Sequence, residues 1–201
     1  MSGKSSAEAS DTVLNLHAIL PRSRANGPGV RLVVWFQGCT LGCQDCFNPN
    51  THSLAPNLLV TVEELEQKIV AETGEIEGIT ISGGEPLLQP QGLNRLLLKI
   101  HHTQLSVILF SGYTLPEIRQ KPLGNEILKQ LDVLIAGRFE KGERLGRNLL
   151  GSANQAIHFF TDRYSIRDLE AIPHSEIIID ADGFVYCSGF SSLNRKSFQV
   201  S

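Results

Sequence analysis

No apolar run in the sequence approaches the ~20 residues that a membrane-spanning helix requires, so no membrane partner is expected. An excess of charge of one sign is missing too. Net charge is −3, and no basic run interleaved with aromatics occurs, which argues against nucleic acid as a partner. Cysteine is scarce: the chain has four, and three of them crowd into one stretch, so a distributed disulfide framework is excluded. The opening MSGKSSAEASDT lacks the apolar core of a signal peptide, and a reducing cytoplasm is the expected compartment.

What is present fits one domain, since 201 residues leave little room for a second core. Residues 1–11 are small and polar and are expected to be a disordered tail. Buried strands are expected at 31–37, 79–82, 106–110 and 132–136, with shorter ones at 13–20 and 156–160. Helices are expected from the capping pair Thr61 and Glu64 to about residue 72, burying Val62, Leu65, Ile69 and Val70, and over 92–102. Two short helical stretches follow within 115–130, and the polar, glycine-rich 137–155 is read as a loop. Residues 176–180 and 184–188 flank Ala181-Asp182-Gly183 and suggest a hairpin. Strands alternating with helices make this an α/β fold with a mostly parallel sheet and a C-terminal β-hairpin.

The chemistry concentrates in FQGCTLGCQDCFNPNTH, residues 36–52, where Cys39, Cys43 and Cys46 are spaced C-x3-C-x2-C. Thiolates are soft ligands for iron–sulfur clusters or zinc, and this spacing lets one loop wrap one centre. Three cysteines would leave one iron of a [4Fe–4S] cluster open. Zinc would instead accept the same three with His52. A second segment, ITISGGEP at 79–86, puts two glycines at a strand end, where backbone can approach a ligand closely.

Together these two segments resemble the radical S-adenosylmethionine (SAM) superfamily, which carries its three-cysteine loop and its glycine–glycine–glutamate–proline segment in this order. Asn26-Gly27-Pro28-Gly29, Cys46-Phe47-Asn48, Ser111-Gly112-Tyr113, residues 132–139 and Gly151-Ser152-Ala153-Asn154-Gln155 narrow the resemblance. They are similar to the glycyl-radical-enzyme activases, above all those serving anaerobic ribonucleoside-triphosphate reductase. The resemblance implies an incomplete (β/α) barrel over a core at 12–164, with 165–201 an extension whose hairpin packs on it. It implies a [4Fe–4S] cluster on Cys39, Cys43 and Cys46, with SAM chelating the open iron. SAM contacts would fall to Phe47, Asn48, Ser82, Gly83, Gly84, Ser111 and Arg138, and Glu85 would accept from the SAM ammonium. A flavodoxin- or ferredoxin-type donor would supply an electron, and a 5′-deoxyadenosyl radical would take hydrogen from a glycine of a partner glycyl radical enzyme.

Two departures stand out. Asp45 occupies a position that is often aromatic, and Ala136 stands where activases usually have aspartate two residues before the basic residue, here Arg138. Two other functions remain open: a radical SAM enzyme with another small-molecule or peptide substrate, and a zinc-binding interaction module. Cys187 is expected to be a packed thiol, and His101 and His102 to end a helix.

Overall fold

The β-branched and aromatic run Arg31–Phe36 forms β2, the strand on which the others are aligned. In a computed structural model of the chain, which describes residues 12–179, 183–190 and 198–199, β2 pairs in parallel with β4 (Gly78–Gly83). β4 pairs in parallel with β5 (Ser106–Ser111), and β5 with β6 (Val133–Ala136). Antiparallel strands flank this centre: β1 (Val13–Ser23) on β2, β3 (Leu58–Thr61) on β1, and β9 (Ala156–Phe159) on β6. The order is β3-β1-β2-β4-β5-β6-β9, a mixed α/β architecture with a parallel middle.

Alternation along the strands divides the core in two. Leu14, Val34, Ile81, Leu109 and Leu134 pack under the helices α1 (Val62–Ala71), α2 (Pro90–Ile100), α3 (Leu115–Arg119) and α4 (Gly124–Leu128). The opposite side chains Ile108, Val133 and Ile135 meet Leu149 and Leu169, the latter from α5 (Ile166–Glu170). The capping box on α1 forms as expected: Thr61 Oγ1 accepts from Glu64 N at 3.1 Å, and Glu64 accepts from Thr61 N at 2.8 Å. Val70 departs from expectation. It is 39% exposed, because it falls off the stripe that Val62, Leu65 and Ile69 turn to the sheet.

The stretch expected as a loop at 137–155 holds a small hairpin of β7 (Arg144–Arg147) and β8 (Leu150–Ser152). Asn148 and Leu149 both have positive φ, +54° and +65°, the signature of a tight primed turn. No glycine marks that turn, which is why the sequence conceals it. The C-terminal strands β10 (Ser175–Ile179) and β11 (Phe184–Gly189) pair antiparallel as expected, and β12 (Phe198–Gln199) adds to β11. The expected turn residues Ala181 and Asp182 and the tail at 1–11 lie outside the described residues. Among the described residues no helix is long and apolar enough to cross a membrane.

Arg31, at the start of β2, is fully buried. Its guanidinium donates to Thr80 Oγ1 at 2.7 Å, Ile79 O at 2.6 Å, Ser106 Oγ at 2.9 Å and O at 3.0 Å, Pro28 O at 3.2 Å and Tyr164 Oη at 3.2 Å. These partners come from β4, β5 and the chain leading to α5, so one side chain ties the N-terminal ends of three strands. The Asn26-Gly27-Pro28-Gly29 segment wraps it. A Cβ on Gly27 would stand 2.5 Å from Arg31 Cδ.

Candidate active site

The parallel strands deliver four loops to one edge, where ligands collect in open α/β sheets. Residues 37–39 follow β2, 84–85 follow β4, 112–113 follow β5 and 137–138 follow β6. Cys39, Cys43 and Cys46 all line the resulting cleft, each half-buried. Phe47, Asn48, Ser82, Gly83, Gly84 and Ser111 line it with them, so nine of the eleven expected site residues converge there.

The cysteine loop is fastened at its base by backbone. Gly38 N donates to Thr51 O at 2.7 Å, Cys39 N to His52 O at 3.2 Å and Glu85 N to Gly38 O at 2.8 Å. Asn48 links the two motifs, its backbone N donating to Cys46 Sγ at 3.4 Å and its Nδ2 to Gly83 O at 3.3 Å. The glycines were expected to make room for a ligand. They line the cleft and also let backbone close on backbone: a Cβ would stand 2.3 Å from Phe36 N on Gly83 and 2.2 Å from Gly38 O on Gly84.

Glu85 and Arg138 sit differently from expectation. Glu85 is 0% exposed beneath the cleft. It accepts from Leu87 N at 3.0 Å, Gly112 N at 2.8 Å and the Ser111 hydroxyl at 3.0 and 3.1 Å. Its carboxylate is therefore spent on shaping the loops, and it is not placed to meet a ligand ammonium in the cleft. Burial pushes the carboxyl up to about 7, outweighing the donors that favour its charged form.

A stability consequence follows from this buried carboxyl. A carboxyl ordinarily near 4.5 that rises to about 7 on folding stabilises the fold most below 4.5 and loses that contribution as pH climbs through 7. The size is on the order of 3 kcal/mol. Urea unfolding at pH 5 and pH 8 should show wild type losing more stability than Glu85→Gln over that interval. Parallel losses would contradict the assignment.

Arg138 donates to Glu117 through Nη1 and Nη2, both at 3.0 Å, and lies on the ring side of Tyr113, 5.6 Å from its centroid. Glu117, from α3, is thus the carboxylate that meets Arg138. Ala136 itself is buried in the helix-side core. The Arg138 hydrogen bond, followed by the Thr114 N–H and hydroxyl, holds Glu117 down to about 2, so the pair stays charged at neutral pH.

Sequence reasoning passed over several cleft residues. Trp35, Phe110 and Ile135 come from strand faces that read only as core. Phe139 and Phe190 flank Phe47 edge-on, with ring centroids 4.8 and 5.3 Å away, and Arg144 stacks over it at 4.8 Å. Gln155 clamps the opposite rim, accepting from Gly151 N at 2.8 Å and donating to Gly137 O at 2.8 Å.

The donor set fits a cluster better than a single ion. Among the described residues no three His, Cys, Asp or Glu side chains converge closely enough to hold one metal ion. Three thiols spread around a cleft suit a cluster, in which each sulfur binds a different iron. His52 does not line the cleft, and its Nε2 is buried without a hydrogen-bond partner. Burial pushes the Cys39 thiol up, reinforced by nearby Glu85, Cys46 and Cys43, so ligation has to displace a proton.

Comparison with known proteins agrees with this site. The family model described as "4Fe-4S single cluster domain" matches residues 25–158. The anaerobic ribonucleoside-triphosphate reductase-activating protein of Vibrio cholerae is 33% identical over 158 residues, covering 74% of this chain and 99% of that protein. Its counterpart in Enterobacteria phage T4 is 32% identical, over 74% of this chain and 96% of that protein. The pyruvate formate-lyase-activating enzyme of Clostridium pasteurianum is 42% identical over 41% of this chain and 36% of that enzyme. The chain belongs to the 4Fe-4S single cluster domain family and, within it, to the anaerobic ribonucleoside-triphosphate reductase-activating proteins.

Proposed function

We propose that the chain is a radical SAM activase that installs a glycyl radical on an anaerobic ribonucleoside-triphosphate reductase. The observation that carries the proposal is the convergence of Cys39, Cys43 and Cys46 with Ser82, Gly83 and Ser111 in one cleft, on a chain matching reductase-activating proteins along nearly their whole length. In this reading the open sheet is an incomplete barrel whose concave face receives SAM and the substrate glycine.

Cys39, Cys43 and Cys46 would hold a [4Fe–4S] cluster with one iron left for SAM. The chemistry supplied by cluster and SAM is one-electron cleavage of the sulfonium–carbon bond to methionine and a 5′-deoxyadenosyl radical, which takes a hydrogen atom from a glycine Cα. The electron would come from a flavodoxin- or ferredoxin-type protein.

The remaining work belongs to the chain. Ser82, Gly83, Gly84 and Asn48 present backbone and amide groups to the amino-acid end of SAM. Glu85 acts from below, fixing Leu87, Ser111 and Gly112 through three donors. Arg138 has N–H groups beyond the two given to Glu117, and these suit a carboxylate at the rim. Phe47, Phe139 and Phe190 keep water from the place where a radical would form.

The test is electron paramagnetic resonance of the reductase after anaerobic incubation with the loaded, reduced chain and SAM. A glycine-centred radical is expected, and its absence when SAM is nevertheless cleaved would favour a different substrate.

A further inference from the structure

A groove runs beside the cleft, between β1 and the C-terminal hairpin. β1 is paired with β2 from Leu16 to Ser23, but on its other side only residues 13–16 meet β3. Asn57 Nδ2 closes that side at Leu16 O and His17 O, both at 3.2 Å. From residue 18 to residue 22 no strand among the described residues covers the outer edge of β1. An uncovered edge offers main-chain donors and acceptors to another extended chain.

Residues 17–22 of β1, with Trp35 of β2, form one wall of the groove, and Ile178, Cys187 and Ser188 form the other. The hairpin is held across from β1 by its own contacts. Glu176 accepts from the Ser23 hydroxyl and from Arg24 N, and Asn26 Nδ2 donates to Ser188 Oγ at 2.5 Å. Charge in the groove is already committed, since Arg22 pairs with Glu72 and Glu75. What remains is apolar wall beside an open strand edge, the combination that accepts an added β-strand.

The groove adjoins the cleft. Trp35 lines both, and Ser188 in the groove wall is followed directly by Gly189 and Phe190 in the cleft wall. A chain lying along β1 would therefore pass by Trp35 into the space bounded by the three cysteines. The wall that makes the groove comes from β10 and β11, beyond residues 25–158 that carry the family match.

We infer that this groove holds the apolar, extended segment flanking the substrate glycine of the partner enzyme, laid against residues 18–22 of β1 as an added strand. The inference rests on the activase reading and specifies where its polypeptide substrate docks.

Hydrogen–deuterium exchange of the full chain, free and bound to the intact anaerobic ribonucleoside-triphosphate reductase of the same organism, tests it. Among Ala18, Ile19, Leu20 and Arg22, the amides that face away from β2 should slow on binding, while Pro21 has none to report. Ile178→Lys, which puts a charge into the groove wall, should weaken the complex about tenfold or more. The same variant should release 5′-deoxyadenosine at the wild-type rate without reductase, because Ile178 lies outside the cleft. A complex in which the outward-facing amides of Ala18, Ile19, Leu20 and Arg22 exchange as in the free chain overturns the groove while leaving the activase reading in place. No complex together with no SAM cleavage overturns both.

Discussion

Replacing Arg31 with alanine should lower the unfolding free energy by about 3–5 kcal/mol, one of the largest single-residue effects expected in this chain. Two contributions act in the same direction. The side chain is fully buried, so its removal leaves a cavity among packed strands. It also orphans acceptors on Pro28, Ile79, Thr80, Ser106 and Tyr164 that have little access to water. Burial pulls the guanidinium pKa down, yet arginine stays charged, with Tyr164, Asp132 and Glu77 near enough to favour that charge. Removing that buried charge relieves some desolvation cost, which sets the limit on the loss. Arg31→Lys should recover only part of it, because three ammonium donors cannot replace a planar fork that reaches six acceptors. Urea titration of the three proteins measures this. A change within about 1 kcal/mol for alanine would mean that the strand ends hold without the arginine.

The second large effect is chemical. Cys43→Ala should abolish cluster loading, with bound iron and sulfide falling to background, while far-ultraviolet circular dichroism stays unchanged. The thiol is half-buried on a loop, so its loss as a packing group is worth little, about 0.5 kcal/mol or less. In the proposed ligation, its loss as one of three ligands would be decisive. His52→Ala provides the contrast. His52 lies outside the cleft lining, so iron content should match wild type. A variant lacking His52 that loses its metal would return the zinc reading to first place.

Much of this site can be read from sequence because its chemistry is local. Cys39, Cys43 and Cys46 fall within one loop, and Thr61 with Glu64 announces α1 from three residues apart. Other features depend on distance along the chain. Phe190 reaches Phe47 from just past β11, far downstream, and nothing in either neighbourhood encodes that meeting. The residue types at Glu85 and Arg138 suggest ligand contacts. Their protein partners, Ser111 with Gly112 and Glu117, become visible only when β4, β5 and β6 stand side by side. β3 escapes notice because it is four residues long and Leu59, 56% exposed, breaks the alternation. The antiparallel placement of β1 is likewise a matter of topology, since a strand's pattern does not state its direction.

The central claim is that this cleft cleaves SAM by one-electron reduction at a three-cysteine cluster. The most direct measurement is anaerobic reconstitution with iron and sulfide, reduction with dithionite, and assay of 5′-deoxyadenosine after SAM is added in the presence of the reductase. Product that forms with wild type and vanishes with Cys43→Ala is the expected result. A fully loaded and reduced cluster that leaves SAM intact beside the reductase would contradict the account.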